Sequence, residues 1–244
     1  MDGLFRDFGD FGSIFNLMLL RIVPVLLCIT IHELAHGFTA YKLGDRTAKD
    51  MGRLTLNPIK HIDPVGLLMM LLVRFGWAKP VPVNMRNFKH PKWYMAITAL
   101  AGPVSNILLA GVLFFILGLV ITPLGLFYSF ETSNFYLNFA TTTTGLTIFE
   151  IFTNAIFISI AFAIFNMLPL PPLDGSKVLF ALVPERHYFK LMRYERYGML
   201  VLLVIMGSRF FFGIDILGGT IVTLTQTIQG YLQFIFEVSY RLVN

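Results

Sequence analysis

The sequence predicts an all-α polytopic membrane protein, a helical bundle of about five transmembrane segments with a small membrane-associated β-hairpin or sheet. Three observations predict it. Hydrophobic residues make up 56% of the 244 and charged residues only 14%, against about 25% charged in an ordinary soluble domain. Several apolar runs approach or exceed the ~20 residues a helix needs to cross hydrocarbon. The formal charge of +5 sits in particular loops, which is the pattern of membrane topology and not of a nucleic-acid surface.

The first apolar run is 14–41, the second 94–121 and the third 146–168. Residues 197–212 form a shorter run that is nearly all apolar and reaches spanning length if extended on either side. The last segment, 220–236, fits two readings. Gln226, Gln229, Gln233 and Glu237 recur at three and four residues, a polar stripe on one helical face. Such a helix either spans with the stripe turned inward or lies in the interface; the count of five takes the first. No polar linker or repeat divides the chain. The organisation expected is therefore one integral membrane domain, 1–244, with a catalytic core of three helices over 14–182 and C-terminal helices over 183–244.

Residues 1–13 are acidic and aromatic, without the basic start and small-residue cleavage site of a signal peptide, so the first span is expected to stay. Residues 42–92 hold ten Lys or Arg, 122–145 none, and 169–196 five. The positive-inside rule puts the first and third loops in the cytoplasm and the N-terminus outside. The single cysteine, Cys28, excludes an intrachain disulfide.

Within the first run stands His32-Glu33-Leu34-Ala35-His36. Ionisable groups in a bilayer are costly, face an interior site and mark function. Residues four apart share a helical face, so His32 and His36 can bind one metal ion. Glu33 beside them can take a proton from a metal-bound water, the chemistry of the zinc-protease HExxH pattern. His32 lies ten residues before Lys42, about 15 Å at helical rise, which sets the site inside the membrane towards the cytoplasmic side.

A catalytic zinc takes three protein ligands and keeps a position open. Asp174 is the best third ligand, in the NMLPLPPLDG run from Asn166. The prolines break the helix and let the chain turn back at depth, and Gly175 permits a tight turn. A helix-capping or turn aspartate is the other reading of Asp174. Cys28 is about 12 Å along the axis from His36 and reads as packing. Glu150 and Asp215 fall towards the outer side, His61 and Asp63 in the basic loop, and His90 and His187 on the cytoplasmic surface. Asn166 either orients substrate or bonds broken backbone, and the small residues of AGPVSN at 101–106 suit close helix packing.

In the first loop, 65–73 is apolar but too short to span and is expected to re-enter or lie in the interface. RLTLN at 53–57 alternates as a strand does, and the prolines of KPVPVN at 79–84 confine that stretch to a sheet edge. A small sheet whose edge could pair with an unwound peptide is one reading; an ordered loop without a substrate role is the other.

With these residues in hand, the chain resembles the site-2 protease family of intramembrane zinc metalloproteases, in its compact bacterial and archaeal branch without PDZ or CBS domains. The likeness runs in order through HELAH at His32, GRLTLNPIKHIDPVG from Gly52, KPVPVN from Lys79, AGPVSN from Ala101 and NMLPLPPLDG from Asn166. It implies one zinc per chain on His32, His36 and Asp174, with Glu33 catalytic. It places Asn166 near the site, with Pro80, Val81, Pro82, Val83 and Asn106 as candidate substrate-binding or site-supporting residues. Met85 and Ser176 depart from the family's usual proline and second glycine without removing a catalytic group.

The function expected is hydrolysis of a peptide bond within or near the transmembrane helix of another membrane protein, in a multi-pass cell-membrane enzyme whose partners are that substrate and the lipid bilayer, with no nucleic acid. The alternative is a membrane metal-ion transporter or sensor using the same ligands, which gives Glu33 no special task.

Overall fold

The computed structural model describes residues 20, 22–66, 69, 76–121, 126–129, 134–137, 143–213, 215 and 217–243. Its helices are α1 (Val23–Lys42), α2 (Thr47–Asp50), α3 (Pro91–Val120), α4 (Thr143–Asn166), α5 (Asp174–Leu182), α6 (Glu185–Phe212) and α7 (Gly218–Arg241). Three of them, α1, α3 and α4, are long and apolar enough to cross a membrane. The chain is mostly helical, as the composition requires. The chain divides into two compact units, one comprising 1–28, 108–160 and 226–244, the other 29–107 and 161–225.

The first unit is built from helix segments packed through small residues. A Cβ at Gly118 of α3 would lie 1.9 Å from Ser239 Oγ and 2.6 Å from the Phe236 carbonyl, so α7 meets α3 where a side chain is missing, as in close membrane helix packing. Leu117, Ile121, Ile156, Ile160 and Phe236 are its buried core. Cys28 is buried, with its thiol 3.7 Å from the Ala155 carbonyl, the packing role its position suggested. The inward face of α7 here is Phe236, Ser239 and Tyr240. Along the polar stripe Gln226 is exposed, while Gln229, Gln233 and Glu237 are half-buried.

A two-stranded antiparallel ladder also belongs to this unit. Leu126–Ser129 pairs with Asn134–Leu137 in the register Leu126 to Leu137 and Ser129 to Asn134. It corrects the sequence reading of where strands form. In the first loop, 53–57 and 79–84 make no strand; the described residues hold an isolated bridge, Ile62 to Ala78. The reason is donor supply. Pro80 and Pro82 have no N–H. The N–H groups of Lys79, Val81 and Asn84 are already given to the His61 carbonyl, Glu33 and Asp45. The expected re-entrant stretch at 65–73 lies largely outside the described residues.

The second unit carries most of the buried polar groups, among them His32, His36, Asp45, Arg53 and Asp174. Helix α1 ends at Lys42 and the chain turns at Gly44, whose φ of +109° is the left-handed conformation glycine adopts freely. The Asp45 N–H bonds the Ala40 carbonyl and the Gly44 N–H that of Tyr41, a Schellman closure. This turn delivers Asp45, fully buried, to a latch. Its carboxylate accepts from the Asn84 N–H (2.7 Å), the Asn87 amide (2.7 Å) and the Thr47 N–H and hydroxyl. The KPVPVN segment is thereby tied to the end of α1.

Burial pushes the Asp45 carboxyl up, but the hydrogen bonds from Thr47, Asn84 and Asn87 outweigh it and hold it below the usual aspartate range. A lowered folded pKa means stability that is complete above the ordinary value of about 3.9 and is lost as pH falls through the folded value. Asp45→Ala is expected to cost about 1–3 kcal/mol, read as a lower melting temperature at pH 7. The gap between wild type and Asp45→Ala should narrow below about pH 4. A gap that stays constant down to pH 3 would show that the latch carboxylate does not titrate as described.

Candidate metal centre and active site

Helix α1 presents His32 and His36 one turn apart, their rings 4.6 Å between centroids and edge to face. Helix α5 begins at Asp174, and its carboxylate meets both. One oxygen, Oδ2, lies 3.1 Å from His32 Nε2 and 3.1 Å from His36 Nε2. All three residues are buried. Their ligand atoms lie within 4.8 Å of one another and could hold a metal ion. The capping reading of Asp174 is superseded: Leu173 is the N-cap, and the aspartate points to the histidines.

The surroundings fix how each group is presented. His36 Nδ1 lies 2.7 Å from the Thr98 carbonyl. A carbonyl only accepts, so Nδ1 carries a proton and donates it. In the neutral ring Nε2 is then a bare lone pair, facing a carboxylate oxygen. Two acceptors at 3.1 Å repel unless a metal ion or a second ring proton stands between them. Metal-binding histidines characteristically donate their other N–H to a carbonyl in this way. Separations of 3.1 Å are also close to the roughly 3.3 Å between neighbouring ligand atoms of a tetrahedral zinc. The donor set and its geometry fit the ion. His32 packs edge-on against Phe162, 4.8 Å between centroids.

Glu33 stands beside this trio with Oε2 accepting the Val81 N–H at 2.8 Å. Gly37, one turn on, lets the loops lie close: a Cβ there would sit 2.6 Å from Leu54 and 3.0 Å from Val81. Arg53 is buried and holds the same segment from behind, donating to the carbonyls of Lys79 (2.8 Å) and Pro80 (3.3 Å).

The proline bend is braced on two sides. A Cβ at Gly175 would lie 2.2 Å from the Met167 carbonyl, and one at Gly198 of α6 would lie 2.3 Å from the Pro171 carbonyl. Gly175 therefore serves close approach, and its φ is not among the positive ones. Lys92 donates to the Val183 carbonyl at the C-cap of α5 (2.6 Å), where a cation also suits the helix dipole.

These groups open on one cavity of about 450 Å³, a volume typical of ligand sites. His32, Glu33, His36, Asp174, Asn166, Pro80, Val81 and Val83 line it; Pro82 and Asn106 do not. Asn166 donates to the Phe162 carbonyl at 3.0 Å. Asn106 is fully buried one turn beyond Gly102. The rival ligands stay apart: His61 contacts the Thr55 carbonyl and Asp63 bonds the N–H groups of Val65 and Gly66, while Glu150, His90 and His187 are exposed.

Three contributors escaped the sequence. Gly102 faces both histidines: a Cβ there would lie 2.4 Å from His36 Nε2 and 2.6 Å from His32 Cε1. The small residues of AGPVSN pointed to close packing, but not to what is packed. Thr98 acts through its carbonyl, which no side-chain pattern reveals. Lys177 lines the cavity with its Nζ 3.5 Å from Asp174 Oδ1, one turn after Asp174 and just past a motif read as far as Ser176.

Buried His and Asp groups able to hold a metal, in a chain with three helices long and apolar enough to cross a membrane, fit the class of integral membrane metalloproteins. The comparisons give its kind. The model of peptidase family M50 matches residues 20–208. The chain is 44% identical over 190 residues to "Putative zinc metalloprotease YwhC" of Bacillus subtilis, covering 78% of this chain and 81% of that protein. It is 27% identical over 198 residues to "Putative zinc metalloprotease Rip2" of Mycolicibacterium smegmatis, covering 80% and 69%. No solved structure matches it. The chain belongs to peptidase family M50, the site-2 proteases, and is a zinc metalloprotease of the membrane.

Proposed function

We propose that this protein hydrolyses a peptide bond within or beside the transmembrane helix of another membrane protein, with His32, His36 and Asp174 holding the zinc and Glu33 as general base and acid. The observation that carries the reading is convergence: the three ligands and Glu33 line one cavity whose walls are otherwise mostly apolar. Zinc bound there supplies Lewis-acid polarisation of the scissile carbonyl and acidification of water.

The chain's own groups do the rest. His36 is oriented by the Thr98 carbonyl and His32 by Phe162. Glu33 keeps Oε2 on the Val81 N–H, which leaves Oε1 to take the proton of the attacking water and return it to the leaving amine. The extended stretch from Pro80 to Val83 forms one wall against which an unwound substrate can lie. A helical substrate has its backbone groups already bonded, so helix-breaking residues near the cleavage point should speed the reaction. The transporter reading gains no support from family membership.

The same reading puts the N-terminus outside, the site nearer the cytoplasmic face, the catalytic core at 14–182 and five spans in all, α6 and α7 being the fourth and fifth. The packing of α7 against Gly118 of α3 supports counting it with the spans. Asp174→Ala is expected to lower the zinc content of purified protein from about one per chain, at least tenfold in affinity. Unchanged metal stoichiometry would remove Asp174 from the ligand set.

A further inference from the structure

We propose that Lys177 is the positioning residue of Asp174: its ammonium engages one carboxylate oxygen, so that the carboxylate offers only the other to the metal. The inference rests on the reading of His32, His36 and Asp174 as the ligand set.

The two oxygens of Asp174 have different neighbours. Oδ2 faces both histidine Nε2 atoms at 3.1 Å, and Oδ1 faces Lys177 Nζ at 3.5 Å. The side chains of Lys177 and Asp174 are only 19% and 9% exposed. Lys177 also sits in the first turn of α5, the end of a helix where a cation is disfavoured by the dipole. A largely buried ammonium at that end needs a compensating anion, and Asp174 one turn back is that anion.

The division of oxygens has a chemical consequence. A carboxylate free to turn can give both oxygens to one metal ion, which consumes the position a catalytic zinc keeps for water and substrate. With Oδ1 engaged by Lys177, Asp174 contributes a single oxygen. Among the described residues, Lys177 and the two carboxylates of Glu33 and Asp174 are the charged side chains lining the cavity besides the histidines.

The test loads purified full-length wild type, Lys177→Met and Lys177→Arg with cobalt(II) in detergent. The d–d absorption bands report coordination number, and zinc affinity is measured on the same preparations by chelator competition. The expected result is intense, four-coordinate bands for wild type and Lys177→Arg. Lys177→Met should give weaker bands of higher coordination number, with a zinc Kd changed by about tenfold or more, the scale seen for groups that orient metal ligands. Its kcat should fall more than its KM rises. If Lys177→Met does not purify as a folded protein, Lys177→Gln is read in the same way. Wild type and Lys177→Met with the same cobalt spectrum and the same zinc affinity would overturn the proposal alone. A wild type that binds neither metal would overturn the ligand set itself.

Discussion

Glu33→Gln is expected to abolish proteolysis while leaving zinc bound. The amide keeps the size of the carboxylate, and its oxygen can still accept the Val81 N–H that Glu33 Oε2 accepts at 2.8 Å. The local structure should therefore survive. What is lost is the ability to take a proton, and removal of a general base costs about 10²–10⁴-fold in rate. Glu33 is not one of the three residues placed to hold the ion, so about one zinc per chain should remain. Cleavage retained near the wild-type rate, on a preparation with full zinc, would refute the role.

Gly102→Ala should be nearly as damaging by a different route. Its methyl would sit 2.4 Å from His36 Nε2, 2.5 Å from His36 Cε1 and 2.6 Å from His32 Cε1. These are rings held from behind by the Thr98 carbonyl and Phe162, not flexible ends that can swing away. Either α3 retreats or the histidines leave their alignment with Asp174. Zinc affinity is expected to fall by about 10–100-fold, with helix content unchanged by circular dichroism. Gly111→Ala is the matched control in the same helix, because a Cβ there meets only Ile235 Cδ1 at 3.4 Å, ordinary contact. Equal zinc affinity in Gly102→Ala and wild type would show that the histidines tolerate the methyl.

The contrast between Glu33 and Gly102 explains what the sequence makes legible. His32, Glu33 and His36 lie within one helical turn of each other, so their spacing alone puts them on a common site. Asp174 is 142 positions from His32, and only its rarity in apolar surroundings and the family likeness of its motif suggested it. Gly102 and Thr98 act through a missing side chain and a backbone carbonyl, so their roles exist only once α3 is laid against α1. The first loop misled for a related reason. Its alternation at 53–57 is a strand pattern, but strands need free backbone donors. Two prolines and the bonds to His61, Glu33 and Asp45 leave the 79–84 segment too few. Helix α7 shows the remaining gap: its glutamine spacing marks a polar stripe, of which Gln229, Gln233 and Glu237 are half-buried, but it does not point to Phe236, Ser239 and Tyr240 as the buried residues, a choice made by what α7 packs against at Gly118.

The most direct test of intramembrane proteolysis is metal-dependent cleavage in liposomes, with the cut mapped. Wild type would be stripped by chelator, reconstituted with a single-span substrate, and restored with zinc, the products being read by mass spectrometry. The expected result is no cleavage when stripped, recovery at about one zinc per chain, and a cut inside or at the border of the substrate's transmembrane segment. Zinc-independent cleavage, cleavage confined to a soluble region far from the span, or zinc crossing the membrane without proteolysis would contradict it.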